Sequence, residues 1–127
     1  MKLFLDDVRQ PHVCLSYMHR RIGAKNLLYS EDWTVVRNYD EFVVVLSKNY
    51  NEITHISFDH DLADIHYDPS TWNDSFVYAE KTGYDCAVFA VSLYKSLNLP
   101  LPECYVHSMN PVGTTKILEL LSKYETL

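Results

Sequence analysis

The sequence has few cysteines, little positive charge and no long apolar run, and each scarcity removes a class of function. Cys14, Cys86 and Cys104 are an odd count at wide spacing with no C-x-x-C pair, which argues against a disulfide framework and a zinc knuckle. They read as small buried hydrophobes of a protein from a reducing cytosol. Eleven Lys and Arg against seventeen Asp and Glu give a formal charge of -6, so no broad surface should attract a nucleic-acid backbone. A nucleotide ligand would have to be met at a local site. Apolar stretches such as Phe42 to Leu46 fall far short of a bilayer span, and the opening Met1 to Leu5 runs straight into Asp6 and Asp7. Neither a signal peptide nor a membrane anchor is expected, and the expected location is cytoplasmic. What remains is 47% hydrophobic and 22% charged, which excludes intrinsic disorder and collagen-like repeats and fits one domain over residues 1–127.

The pattern along the chain alternates strand and helix. Lys2 to Leu5 is a short apolar strand delivering Asp6 and Asp7 to its carboxyl end. Arg9 to Asp32 is irregular, although Cys14 to Ile22 could form one or two helical turns. Trp33 to Tyr39 predicts a second strand, after which Asp40 offers an N-cap for a helix to about Ser47. Ile53 to Phe58 predicts a third strand that stops at Asp59-His60-Asp61. Residues 62–81 are polar and aromatic without a clear period, a length that suits a lid or binding loop. Thr82, with Asp85 three residues on, predicts the capped start of an amphipathic helix to about Leu97. A fourth strand, Cys104 to Val106, ends at His107-Ser108, and a last helix spans Thr114 to Tyr124 with Ile117, Leu118, Leu120 and Leu121 toward the core.

This alternation implies an α/β layer structure with a mostly parallel sheet, whose ligands gather beyond the carboxyl ends of the strands. Asp6 and Asp7, then Asp59, His60 and Asp61, then His107, Ser108 and Asn110 fall at three such ends. Carboxylates converging there repel one another unless a cation or a proton intervenes. An all-oxygen set suits Mg2+ or Mn2+. Alternatively, one member of each acidic pair turns inward to cap a helix or bind backbone. His60 and His107 are candidate acids or bases, and Arg9 is a candidate bidentate phosphate clamp that could equally neutralise Asp7. Ser108 lacks a Gly-x-Ser-x-Gly context and suits a phosphate contact better than a nucleophile. Gly113, Thr114 and Thr115 open the last helix, where backbone N–H groups favour an anion or are capped by Asn110 or Thr114. Tyr67, Trp72, Phe76, Tyr78 and Tyr84 could stack on a base or simply pack.

Four blocks carry a resemblance: Leu3-Phe4-Leu5-Asp6-Asp7-Val8-Arg9-Gln10-Pro11, Ile56 to Leu62, Thr82-Gly83-Tyr84-Asp85, and Val106 to Gly113. Together they resemble the cyclic-phosphate processing receiver-like family, a derivative of bacterial response-regulator receiver domains found in bacteria and phages. The resemblance implies a receiver-like, flavodoxin-like three-layer sandwich on a truncated four-stranded sheet. It implies that Asp6, Asp7 and Asp59 hold a divalent metal, Mg2+ or Mn2+. It places Ser108 at the hydroxyl position ending the fourth strand and adds His60, Asp61, His107 and Asn110. No residue matches the lysine that receivers carry on a fifth strand, which speaks against ordinary phosphoryl signalling. The implied activity is a metal-dependent phosphoesterase acting on cyclic nucleotides or RNA ends bearing a 2′,3′-cyclic phosphate. Asp59, His60 and His107 would be catalytic, with metal-bound water or Asp59 itself as nucleophile, and Arg9, Asp61, Ser108, Asn110 and Gly113 would bind substrate. The rival reading is a non-enzymatic receiver-like module that binds a nucleotide or a partner protein.

Overall fold

A computed structural model of the chain describes residues 1–62 and 81–125. The strands are β1 (Lys2–Leu5), β2 (Thr34–Val36), β3 (His55–Phe58) and β4 (Glu103–Val106), and the α-helices are α1 (Leu15–Ile22), α2 (Tyr39–Asn49), α3 (Gly83–Ser96) and α4 (Pro111–Glu125). The sheet is wholly parallel in the order β2-β1-β3-β4. With helices on both faces, this is the receiver-like flavodoxin arrangement anticipated from the sequence.

Both faces are covered, so after Lys2 β1 is apolar on both sides: Leu3, Phe4 and Leu5 are all fully buried. Leu3, Leu5, Ile56, Phe58 and Val106 join Phe42 and Leu46 of α2, Ala87 and Ala90 of α3, and Ile117 and Leu121 of α4 in one core. Phe4 and Tyr105 pack on the other face with Cys14, Met18 and Tyr29. The irregular region after β1 supplies this second layer, through 3-10 turns at Pro11–Cys14 and Gly23–Ser30 on either side of α1. Beyond β4, Arg21 Nη1 donates to the Val106 carbonyl at 2.9 Å, giving an edge-strand oxygen a side-chain partner.

Several boundaries differ from expectation, each for a local reason. Strand β2 is shorter, and α2 starts one residue before Asp40 because Asn38 is the cap, its side chain accepting from Glu41 N at 2.9 Å. Strand β3 begins at His55 rather than Ile53, since Ile53 N is turned back to the Asn49 carbonyl. Helix α4 begins at Pro111, three residues early, because a proline suits a first helical position whose N–H has no partner. Leu118, expected in the core, is 49% exposed. The capped start of α3 is present, with Thr82 N donating to Asp85 Oδ2 at 2.8 Å. The lid expectation lies outside the described residues over 63–80, as do Tyr67, Trp72, Phe76 and Tyr78.

Candidate functional site

Strand register builds the site. Leu5 is level with Phe58, and Phe58 with Val106, so the next residues, Asp6, Asp59 and His107, emerge at one height. Side chains alternate along a strand, and these three share the face of Phe4, Ser57 and Tyr105, two residues back on each strand. Their backbones extend the ladder, through Asp59 N to the Leu5 carbonyl and His107 N to the Phe58 carbonyl, both 3.0 Å. All three side chains are buried.

Asp6 is the most heavily bonded group in this layer. Its Oδ1 accepts from Val8 N at 2.9 Å and Arg9 N at 2.8 Å, and its Oδ2 accepts from Arg9 Nη1 and His107 Nε2, both at 3.0 Å. Burial alone would raise its pKa, but these hydrogen bonds outweigh it and hold the carboxyl far below the usual range. The Arg9 guanidinium sits between two carboxylates, with Nη1 3.7 Å from Asp59 Oδ1. Burial opposes its charge, and the Asp6 hydrogen bond reverses that and keeps it cationic. Arg37, at the end of β2, fixes the same loop from below by donating to the Asp6 and Arg9 carbonyls at 3.1 and 2.7 Å.

Asp59 differs from Asp6. Its Oδ1 accepts from His60 N at 2.9 Å, but burial and the nearby Asp6 charge push its pKa up to about 7. It can therefore gain or lose a proton near neutrality. His107 is fully buried, stacked on Phe4 with ring centroids 4.3 Å apart, and both its nitrogens are engaged: Nε2 with Asp6, Nδ1 with Ser57 Oγ at 2.6 Å. Burial lowers its pKa against the pull of Asp6.

A second cluster forms the rim. His60 Nδ1 bonds Asp61 Oδ1 at 2.8 Å, and Asn110 Nδ2 reaches both Asp61 oxygens at 3.2 Å. Asn110 Oδ1 caps α4 by accepting from Gly113 N at 3.0 Å, and the His60 hydrogen bond holds Asp61 below the ordinary carboxylate range. Two glycines permit this closeness. A Cβ on Gly113 would collide with the His60 ring, and one on Gly83 with the Asp59 carbonyl oxygen. Ser108 lies beneath, 1% exposed, its Oγ accepting from Asn110 N at 3.0 Å. Beside His60 a cleft of about 560 Å³ continues along Thr82, Tyr84, Lys116 and Lys123.

The model for the cyclic-phosphate processing receiver domain matches residues 1–123. The chain belongs to that family. No curated protein and no solved structure matches it.

The candidate site is thus assembled from three strand ends, but in two layers. Asp6, Asp59 and His107 form the buried one, and His60, Asp61 and Asn110 the rim, with the half-buried Arg9 joining the two. Asp6, Asp59 and His107 each bring a ligand atom within 4.8 Å of the others and could hold a metal ion, as receiver domains do. Two carboxylates and an imidazole suit a divalent cation. Seating one there requires Asp6 Oδ2 to release Arg9, and His107 Nε2 to give up the hydrogen it donates. Asp7 is half-buried and near enough for its charge to raise Asp59 further. Sequence reasoning missed Ser57, Tyr29, Arg37 and the closeness of Gly83. Ser57 carried a readable signal, as a polar residue on a strand that both neighbours bury.

Proposed function

We propose that this rim is a phosphoester-processing site acting on cyclic phosphates, either cyclic nucleotides or RNA ends bearing a 2′,3′-cyclic phosphate. The carrying observation is the Arg9 guanidinium, held between Asp6 and Asp59 beside the His60, Asp61 and Asn110 cluster. A guanidinium engaged through one nitrogen keeps further N–H donors for phosphate oxygens. Asp59 exchanges a proton near neutral pH, as a general acid or base must. Asp61 orients His60 through Nδ1, and Nε2 has no partner among the described residues, which suits proton transfer to a leaving oxygen. Asp6, Asp59 and His107, or the sequence-expected set Asp6, Asp7 and Asp59, would hold Mg2+ or Mn2+. When bound, such an ion neutralises developing charge and acidifies water.

One observation favours the rival, a module that binds a nucleotide without cleaving it: Asp6 already has four hydrogen bonds and a resident cation. Incubation with cyclic mononucleotides and cyclic-phosphate RNA ends, with Mg2+, with Mn2+ and with chelator, separates the two. Turnover lost in Asp59→Asn and His60→Ala supports the enzyme. Stoichiometric binding without product supports the module. Neither turnover nor binding overturns both.

A further inference from the structure

Beneath Asp6 runs a continuous file of buried polar atoms. Tyr29 OH lies 2.6 Å from Ser57 Oγ, Ser57 Oγ 2.6 Å from His107 Nδ1, and His107 Nε2 3.0 Å from Asp6 Oδ2, which also receives Arg9 Nη1 at 3.0 Å. Tyr29, Ser57, His107 and Asp6 are each at most 1% exposed, so no member has solvent as an alternative partner.

The direction of the file follows from counting hydrogens. A carboxylate only accepts, so Nε2 carries a hydrogen and donates it to Asp6. If Nδ1 also carried one, it would donate to Ser57, Ser57 would donate to Tyr29, and the Tyr29 hydroxyl hydrogen would have no acceptor among the described residues. The opposite direction satisfies every group: Tyr29 donates to Ser57, Ser57 to a bare Nδ1, and Nε2–H to Asp6. Phe4, stacked on the imidazole at an interplanar angle of 7°, closes one ring face.

We propose that Tyr29 and Ser57 are positioning residues: they hold His107 with its hydrogen on Nε2 and Nδ1 bare, and His107 thereby fixes Asp6 Oδ2 facing Arg9. The consequence for function rests on the reading of Arg9 as the cation that meets phosphate. The two hydroxyls, one on a 3-10 turn and one on β3, set the aim of a guanidinium they do not touch.

The test uses the full chain labelled with 15N at histidine, with Ser57→Ala, Ser57→Thr and Tyr29→Phe, and measures affinity for adenosine 2′,3′-cyclic phosphate in chelator. Wild type should show His107 protonated on Nε2 alone. Ser57→Ala should move the Nδ1 resonance and weaken binding about fivefold, the scale of one buried hydrogen bond. Tyr29→Phe should do the same to a smaller degree, and Ser57→Thr, which keeps the hydroxyl, should restore both. A wild-type His107 protonated on Nδ1, or Ser57→Ala leaving the Nδ1 resonance unmoved, would overturn the proposal, as would unchanged affinity in a variant whose resonance has moved. If wild type binds no cyclic phosphate in chelator, the consequence for Arg9 falls; if it binds none with Mg2+ or Mn2+ either, the functional reading falls with it, while the spectra still decide the hydrogen-bond file.

Discussion

Two aspartate–histidine pairs lie within one site and differ in almost everything else. Asp6 and His107 are fully buried, and every acceptor position of that carboxylate is filled. Asp61 bonds His60 at a similar distance, but its side chain is 69% exposed. A buried carboxylate is tolerable only when hydrogen-bonded and charge-paired, so the inner pair and its partners form a fixed frame. An exposed pair exchanges its contacts with water at little cost and is free to exchange them with a ligand. The inner pair sets geometry and charge, and the outer pair is the one whose contacts a ligand could replace.

The largest effect that tests this contrast is on stability. Asp6→Ala leaves Arg9, His107 and two backbone amides without their acceptor and should cost about 3–5 kcal/mol, the scale of breaking a buried pair. Asp61→Ala should cost less than about 1 kcal/mol. Urea unfolding of the two variants measures both, and similar losses would remove the distinction between frame and rim.

A pH dependence sharpens the contrast between Asp6 and Asp59. Asp59 keeps its proton to about pH 7 in the native chain, while its ordinary value is 3.8. Between those values the native state holds a proton the unfolded chain has released, so this contribution to stability is full below the lower value and lost as pH rises through 7. The slope is at most about 1.4 kcal/mol per pH unit. His107 acts oppositely: its lowered pKa makes the unfolded chain take up a proton first, so its contribution is lost as pH falls below 6.5. Unfolding in chelator from pH 4 to 8 for wild type and Asp59→Asn cancels the His107 part. The advantage of wild type over the variant should shrink steadily with rising pH. A constant difference would mean that Asp59 is ionised throughout.

Much of this arrangement was legible before any coordinates. Apolar strands ending in Asp6, Asp59 and His107 are visible as short runs cut off by chemistry-bearing residues, and parallel pairing brings such ends to one edge. The division into frame and rim was not legible, because it depends on register. Only when Leu5, Phe58 and Val106 align do the residues after them share one face, and a sequence does not state which residue sits opposite which. For the same reason His107 read as an equal of His60, although one is fully buried and the other lies beside a cleft. Tyr29 was hidden in a stretch without periodicity, since a 3-10 turn repeats differently from a helix or a strand. Gly83 and Gly113 were visible as residues, but the carbonyl and imidazole that demand them come from Asp59 and His60, the two residues that follow β3.

The smallest effect separates two duties of one rim residue. Asn110 caps α4 through Oδ1 and holds Asp61 through Nδ2. Asn110→Ala removes both and should cost about 1 kcal/mol, as loss of an N-cap usually does. Asn110→Asp keeps a capping oxygen, so its stability should stay within about 0.5 kcal/mol of wild type. It also sets a negative charge against Asp61 where a donor stood, pushing that carboxylate away and loosening its hold on His60. Ligand affinity should therefore fall about as far in Asn110→Asp as in Asn110→Ala, although only the second is destabilised. Were affinity to follow stability instead, falling in Asn110→Ala alone, Asn110 would be a helix cap that happens to lie near the site, and the rim would reduce to His60 and Asp61.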